Sequence, residues 1–492
     1  MRELRDREAV AASSITSWDY EVDVAVVGLG CAGVAAAIEA SESGARVLAI
    51  ERTSGGGGTS ANSGGLIYLG GGTAVQKACG IEDTAEDMFR FLMASCGPGP
   101  DEAKIRIFAD RSVELFDWLE SHGVPFKRST YPEPGKEPPT DDCLVYSGGE
   151  DGWPYEEIAK PAPRAHKAQT PGAGGGFLMQ KLLEALGRTS AELLEDARVD
   201  RLVVDEVGCV VGLVAHRVEG DVCVRAAGGV VLTAGGFISN PEMIERYAPQ
   251  VAKANYKVGT ENDDGSGILL AMAVGADAIR MDAASITIPL YPPKNICKGV
   301  LVNQRGQRFL NEDAYAGLIG QRALREQEGR CWHLVDAETY VVNEAFMEAK
   351  VVEESWEALE QALDLPAGAL VATMELYNRH ARDGKDPVFH KRDSLVVPLD
   401  KPPFGAINVT TRGCVYAAFT LGGLHTLPSG EVLRPDGSAV EGVYAAGRTT
   451  SGIAADGYVS GVSLGDGLMF GRLAGATAAA RGAHGNDSGR TK

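Results

Sequence analysis

From Asp23 to Arg52, "DVAVVGLGCAGVAAAIEASESGARVLAIER", a β-rich apolar run leads into a glycine turn, a small-residue stretch at helical spacing and a second β-rich run. The pattern predicts strand, tight turn, helix and strand. Residues 101–122 place Ile105, Phe108, Leu115, Phe116 and Leu119 at helical spacing, with acids opening and Gly123 and Pro125 closing; this predicts a packing helix. The stretch that follows, to Gly176, holds nine of the 23 prolines and several glycine clusters, and is expected as an irregular excursion over the surface, covering part of a site. Residues 198–236 alternate β-rich runs with turns, predicting a small antiparallel sheet. From about 285 to 403 the pattern becomes mixed helix and loop, with an amphipathic helix between Pro366 and Gly384. A short apolar strand, a glycine turn, a polar loop and a helix from about Ser463 to Arg481 close the chain, followed by a tail expected to fray.

A chain of 492 residues with 44% apolar content can bury a large core. No run approaches the roughly 18 apolar residues of a membrane span, and "MRELRDREAV" is too charged for a secretory signal, so a cytoplasmic address is expected. The net charge of −20 disfavours nonspecific binding of nucleic acid or anionic lipid. Nine cysteines without a CxxC pair and eight histidines without HxxxH spacing give no disulfide framework and no metal site. Redox chemistry would then need an organic cofactor.

The first motif supplies a place for one. Gly28 permits the turn, Gly30 lets backbone approach a pyrophosphate, and Gly33 lets the helix pack close to the strand. The N–H groups at the helix start, at Cys31 and Ala32, face phosphates there. Glu51, ending the second strand, is placed to accept from an adenosine ribose, with Arg52 beside it. The tract "TSGGGGTSANSGG" after Arg52 fits FAD better than NAD: it can run close under a tricyclic ring, with Thr59, Ser60 and the amides of Gly64 and Gly65 donating to it. It contains no histidine for a covalent link, so the cofactor is expected to be non-covalent FAD.

Together with this opening, "VVLTAGGF" (230–237), "NDDGSGILLAMAVGAD" (262–277), "TLGGL" (420–424) and "YAAGR" (444–448) resemble the FAD-dependent fumarate reductase and succinate dehydrogenase flavoprotein superfamily over almost the whole chain. The resemblance implies an α/β fold: a Rossmann-like FAD-binding domain of the glutathione-reductase type, residues 20–284 and 404–482, with an inserted α+β cap or catalytic domain, 285–403, and a flexible tail, 483–492. It also implies cofactor contacts from Val199, Ala234, Gly235, Asp264 and Gly447, and from Ser463 and Leu464 at the start of the last helix.

Fumarate-type enzymes clamp a dicarboxylate with arginine and histidine. Here the matching positions hold Tyr315 and Ala316, Phe419 and Tyr458, which suits an apolar substrate with a carbonyl. In the extended stretch "DGYVSGVSLGDG", Tyr458 and Ser460 point the same way while Val459 packs behind. "EDAYAG", "FTLGGL" and "GYVSGVSLGDG" closely resemble the bacterial 3-ketosteroid Δ4-(5α)-dehydrogenases. That resemblance implies that Tyr458 polarises the C3 ketone, Ser460 takes the C4 proton and Tyr315 assists Ser460. Asp456 and Tyr416 stand out as departures expected near the pocket, and His425 and Arg448 as structural residues near the flavin. A flavin ene-reductase, a Δ1-dehydrogenase and a non-catalytic steroid binder remain alternatives. The expected partners are a 3-ketosteroid and an external electron acceptor of unknown identity.

Overall fold

In the computed structural model, which describes residues 7–133, 137–290, 294–342 and 348–488, strand β1 (Tyr20–Val27) passes through the glycine turn into helix α1 (Cys31–Glu42) and returns as β2 (Val47–Ile50), parallel to β1. β1 is buried from Val22 onward, as parallel strands covered on both faces must be. α1 is buried from Cys31 through Ile38 with no polar face, because it lies between the sheet and a second helix.

Strands β3 (Arg198–Val204), β4 (Val210–Arg217) and β5 (Gly220–Leu232) form the expected antiparallel meander. The second half of β5 then runs parallel to β1 on one side and to strand Ala439–Ala445 on the other. Its register shifts between Ala226 and Gly229. Gly229 takes φ +129°, and a Cβ there would stand 2.6 Å from the Gly442 carbonyl oxygen. The C-terminal part of the chain thus completes the sheet that the N-terminal part begins.

After Leu232 the chain leaves this sheet and returns to it only at Glu431–Leu433 and Ala439–Ala445. Strands Val300–Asn303, Cys331–Val335, Phe404–Asn408 and Ala349–Glu353 form an antiparallel sheet backed by helices Trp356–Ala362 and Ala369–Ala381. Helix α2 (Ala316–Arg325) instead buries Ile319, Ala323 and Leu324 in the core shared with the first sheet. Helix α3 (Val462–Ser488) lies along α1. Cβ atoms at Gly471 and Gly475 would come within 2.3 Å of Ala32 O and 2.2 Å of Ala36 O, so glycines four residues apart let the two backbones touch.

Three expectations change. The helix expected over 101–122 is two, Glu102–Asp110 and Ser112–Ser121, broken at Arg111 where the Ser112 hydroxyl turns in to accept the Gly70 N–H at 2.8 Å. The proline-rich stretch, of which 134–136 lie outside the described residues, is not confined to the surface. Its strand Ala165–Lys167 sits between Leu66–Tyr68 and Leu144–Val145 and is fully buried. Long-range partners make that possible: Arg164 pairs with Asp83 at 2.7 Å, and the Lys167 ammonium donates to the carbonyls of Pro138, Thr140 and Gly172. The last helix also runs past Arg481 to Ser488, while 489–492 of the expected tail lie outside the described residues.

Candidate active site

A cavity of about 660 Å³ runs from the β1–α1 turn to the loop before α3. At its first end Gly28 has φ +94°, and a Cβ there would stand 2.8 Å from Thr233 O. A Cβ on Gly33 would stand 1.8 Å from Gly28 O, so Gly33 closes the turn from behind and does not line the cavity. Glu51 accepts from Leu29 N–H at 2.8 Å, from Thr53 N–H at 3.1 Å and from Thr53 Oγ1 at 3.0 Å. A carboxylate has about four acceptor sites, so Glu51, which lines the cavity, keeps capacity for a ligand. Gly30, Cys31, Ala32, Arg52, Thr59, Ser60, Gly64, Gly65, Ala234, Gly235, Gly447, Ser463 and Leu464 line it as well. So does Val199, at a register shift in the β3–β4 pairing.

Asp264 does not line the cavity. Its carboxylate pairs with Arg52 at 3.0 Å and accepts from Ser266 N–H at 2.9 Å. The neighbouring Asp263 takes the position instead, accepting from Thr59 Oγ1 at 2.6 Å, Gly236 N–H at 3.1 Å and the Arg448 guanidinium at 2.7 and 2.9 Å. The sequence reading missed Asp263, and the "NDD" motif holds no signal to separate two adjacent acids.

The other end is built by residues 455–464. The N–H groups of Ala455 and Gly457 both donate to Cys96 O, at 2.8 and 3.1 Å, which fixes this loop to the core. Val459 is fully buried against Gly148, while Tyr458 and Ser460 line the cavity, as the two-residue alternation requires. Tyr315, capping α2, enters the same cavity with its Oη 2.9 Å from Ser460 Oγ. The Tyr458 oxygen accepts Ser463 N–H at 3.3 Å, and its ring meets Phe419 edge to face at 5.1 Å. Burial raises the pKa of Tyr458, only partly opposed by the bonds from Ser463 and Gly461, so its hydroxyl keeps its proton.

Two residues expected near the pocket are elsewhere. Tyr416 is fully buried in the core, donating to Val409 O at 2.6 Å. Asp456 turns outward to Gln321 and Arg325 of α2. His425 stands 3.4 Å from Asp277, outside the cavity, whereas Arg448 lines it.

The residues fit a dinucleotide with a ring system. Gly28 and Gly30 bring bare backbone to the cavity wall, and Arg448 Nη1 is buried without a hydrogen-bond partner among the described residues. They do not make a dicarboxylate clamp. Among the described residues no lysine or histidine lines the cavity, and its three arginines, Arg52, Arg198 and Arg448, pair with Asp264, Asp200 and Asp263. Also among the described residues, no helix is long and apolar enough to cross a membrane, and no cluster of three metal-binding side chains gathers.

The FAD binding domain family model matches residues 23–463. The crystal structure of a 3-ketosteroid-Δ4-(5α)-dehydrogenase from Rhodococcus jostii RHA1, in complex with 4-androstene-3,17-dione, is 45% identical, with a TM-score of 0.92 covering 96% of this chain and 99% of that one. The 3-oxo-5-alpha-steroid 4-dehydrogenase of Comamonas testosteroni is 27% identical over 508 residues, 89% of this chain and 94% of that protein. The NADH:fumarate oxidoreductase of Klebsiella pneumoniae is 28% identical over 479 residues, 93% of this chain, but this chain spans only 48% of that protein.

Proposed function

This chain belongs to the FAD binding domain family, and from that premise we propose that it dehydrogenates 3-keto-5α-steroids to 3-keto-4-ene steroids. The observation that carries the reading is the Tyr315–Ser460 contact of 2.9 Å, made in a cavity that also holds Tyr458 and Phe419 and where, among the described residues, each lining arginine is paired with an aspartate. Support comes from the likeness to a 3-ketosteroid-Δ4-(5α)-dehydrogenase at 45% identity over nearly both chains.

Forming the 4-ene removes a proton from C4 and a hydride from C5. When bound, FAD supplies the acceptor for the hydride. Tyr458, kept protonated by burial, donates to the C3 carbonyl oxygen, where negative charge grows as the C4 proton leaves. Its oxygen in turn accepts Ser463 N–H at 3.3 Å, which polarises the phenol toward the substrate. Ser460 Oγ receives the C4 proton as its own hydroxyl proton passes to Tyr315 Oη, 2.9 Å away, and Tyr315 hands its own hydroxyl proton on to solvent. Phe419 gives this end an apolar face, as a steroid ring requires, and Arg448 beside it is held by Asp263.

We read the FAD-binding unit as residues 20–284 and 404–482, with the cap between them. Strand Phe404–Asn408, first in the second part, still pairs inside the cap sheet between Cys331–Val335 and Ala349–Glu353, so by strand pairing the cap extends through Asn408. A single dinucleotide fingerprint points to an external electron acceptor. The test is holoenzyme with 5α-androstane-3,17-dione and an artificial acceptor, followed by the ultraviolet absorbance of the conjugated enone. No enone, with reoxidation of photoreduced enzyme by fumarate instead, would overturn the reading in favour of the ene-reductase alternative.

A further inference from the structure

The Tyr315–Ser460 pair joins two separately built parts of the molecule. Ser460 belongs to a loop anchored to the core through Cys96 O, and a Cβ on Gly457 would stand 2.5 Å from Gly97 N, so the loop has no room to shift toward that side. Tyr315 belongs to the inserted part and caps α2. Its placement over Ser460 therefore depends on how α2 sits against the loop.

One residue of the loop reaches α2 directly. Asp456, two residues before Tyr458, accepts from Gln321 Nε2 at 3.1 Å and from Arg325 Nη1 through the same carboxylate oxygen, and its backbone carbonyl accepts from Gln321 as well. Gln321 and Arg325 are four residues apart and so share a helix face. Arg325 Nη2 also donates to Asp282 O at 3.3 Å, just before strand Ala284–Thr287, on which α2 is seated. There a Cβ on Gly320 would stand 2.6 Å from Ile286 O. The helix is thus held close to the strand by its glycine and tied to the loop by its last two turns, while its N-cap residue, Tyr315, meets Ser460.

We infer that the contact of Asp456 with Gln321 and Arg325 is a latch that keeps Tyr315 in register with Ser460, which makes these three positioning residues for the proton transfer. The inference rests on the proposed dehydrogenase reading for its kinetic consequence, but not for its structural one. The Asp456 and Arg325 side chains are 42% and 18% exposed, so the ion pair is open to screening by salt.

The experiment compares Asp456→Ala, Arg325→Leu and the double variant as FAD holoenzymes, with Arg325→Lys as the conservative control. Each single variant should lose about ten- to a hundredfold in kcat with a smaller change in KM, as a displaced proton acceptor does. The double variant should be no slower than the slower single, and Arg325→Lys should recover much of the loss. Amide hydrogen exchange over residues 316–325 should quicken in both single variants, and rising salt should slow the wild type but not Asp456→Ala. Unchanged exchange in a folded Asp456→Ala protein, or multiplicative losses in the double variant, would overturn the latch. Should the wild type turn over no steroid, the dehydrogenase reading falls, and the exchange comparison still decides the latch.

Discussion

The Tyr315 hydroxyl lies 2.9 Å from Ser460 Oγ although 145 residues separate them in the chain. If the two pass one proton, Tyr315→Phe and Ser460→Ala each lower kcat by about a hundredfold or more, and the double variant falls no further than the worse single. Tyr458→Phe acts on the carbonyl instead, so its loss of about 3 kcal/mol of barrier stabilisation should multiply with either. Steady-state kcat of the wild type, the three single variants and the three pairwise doubles with a saturated 3-ketosteroid checks both statements.

Gly317 is where Tyr315 finds room for its ring. A Cβ on Gly317 would stand 2.3 Å from Tyr315 Cε1 and 2.9 Å from Cζ. The backbone there is already helical, and alanine favours the helix by about 1 kcal/mol over glycine. Gly317→Ala should therefore leave thermal stability equal or higher while kcat drops about tenfold or more, because the ring must swing its hydroxyl off Ser460. Unfolding and turnover measured on one preparation separate the two effects.

What the sequence made legible follows from how local each signal is. The β1–α1–β2 unit and the same-side pair Tyr458 and Ser460 depend on spacings of a few residues, and both stand where those spacings put them. The resemblance implies Asp264, but which of two adjacent acids faces inward is decided by partners far away, and Thr59 and Arg448 hold Asp263. The burial of residues 165–167 failed to show for the same reason. Lys167 reads as a surface residue until the three carbonyls that receive its ammonium are folded around it. Tyr416 sits near the motif "TLGG" in sequence, but just before strand Ala417–Thr420 its ring turns into the core and its hydroxyl donates to Val409 O.

Three residues before Tyr315, Glu312 is fully buried between two cations. Arg308 reaches it at 2.7 Å and Lys391 at 2.8 Å, and it accepts Leu301 N–H at 2.9 Å. Burial alone would raise its pKa, but Arg308 and Lys391 outweigh it and hold the carboxyl at about 2. A carboxyl depressed in the folded state adds stability that is present above its unfolded value of 4.5 and is lost as pH falls through about 2. Lys391→Met leaves the carboxylates of Glu312 and Asp386 with Arg308 alone, and should cost about 3–5 kcal/mol at neutral pH. The variant should also lose much of the wild type's acid sensitivity over that window. Denaturant titrations at several pH values test both.

Glu150 is the opposite case, and its pH dependence runs the other way. It is fully buried behind the Ser460 loop, in a segment where Ser147 Oγ donates to Ser460 O at 3.0 Å. One of its oxygens accepts Gly148 N–H at 2.9 Å, and the other has no hydrogen-bond partner among the described residues. Burial dominates and pushes the carboxyl up to about 7, against the opposing pull of the Gly148 N–H and of Arg164. A carboxyl raised in the folded state favours folding while protonated, so its contribution is complete below 4.5 and is lost as pH rises through about 7. Glu150→Gln keeps the shape and removes the ionisation. The stability difference, variant minus wild type, should therefore be flat below about pH 4.5, rise toward pH 7 and level off above it, gaining about 3 kcal/mol in total. A difference curve that stays flat across that range would mean Glu150 ionises in the folded protein as readily as in the unfolded chain.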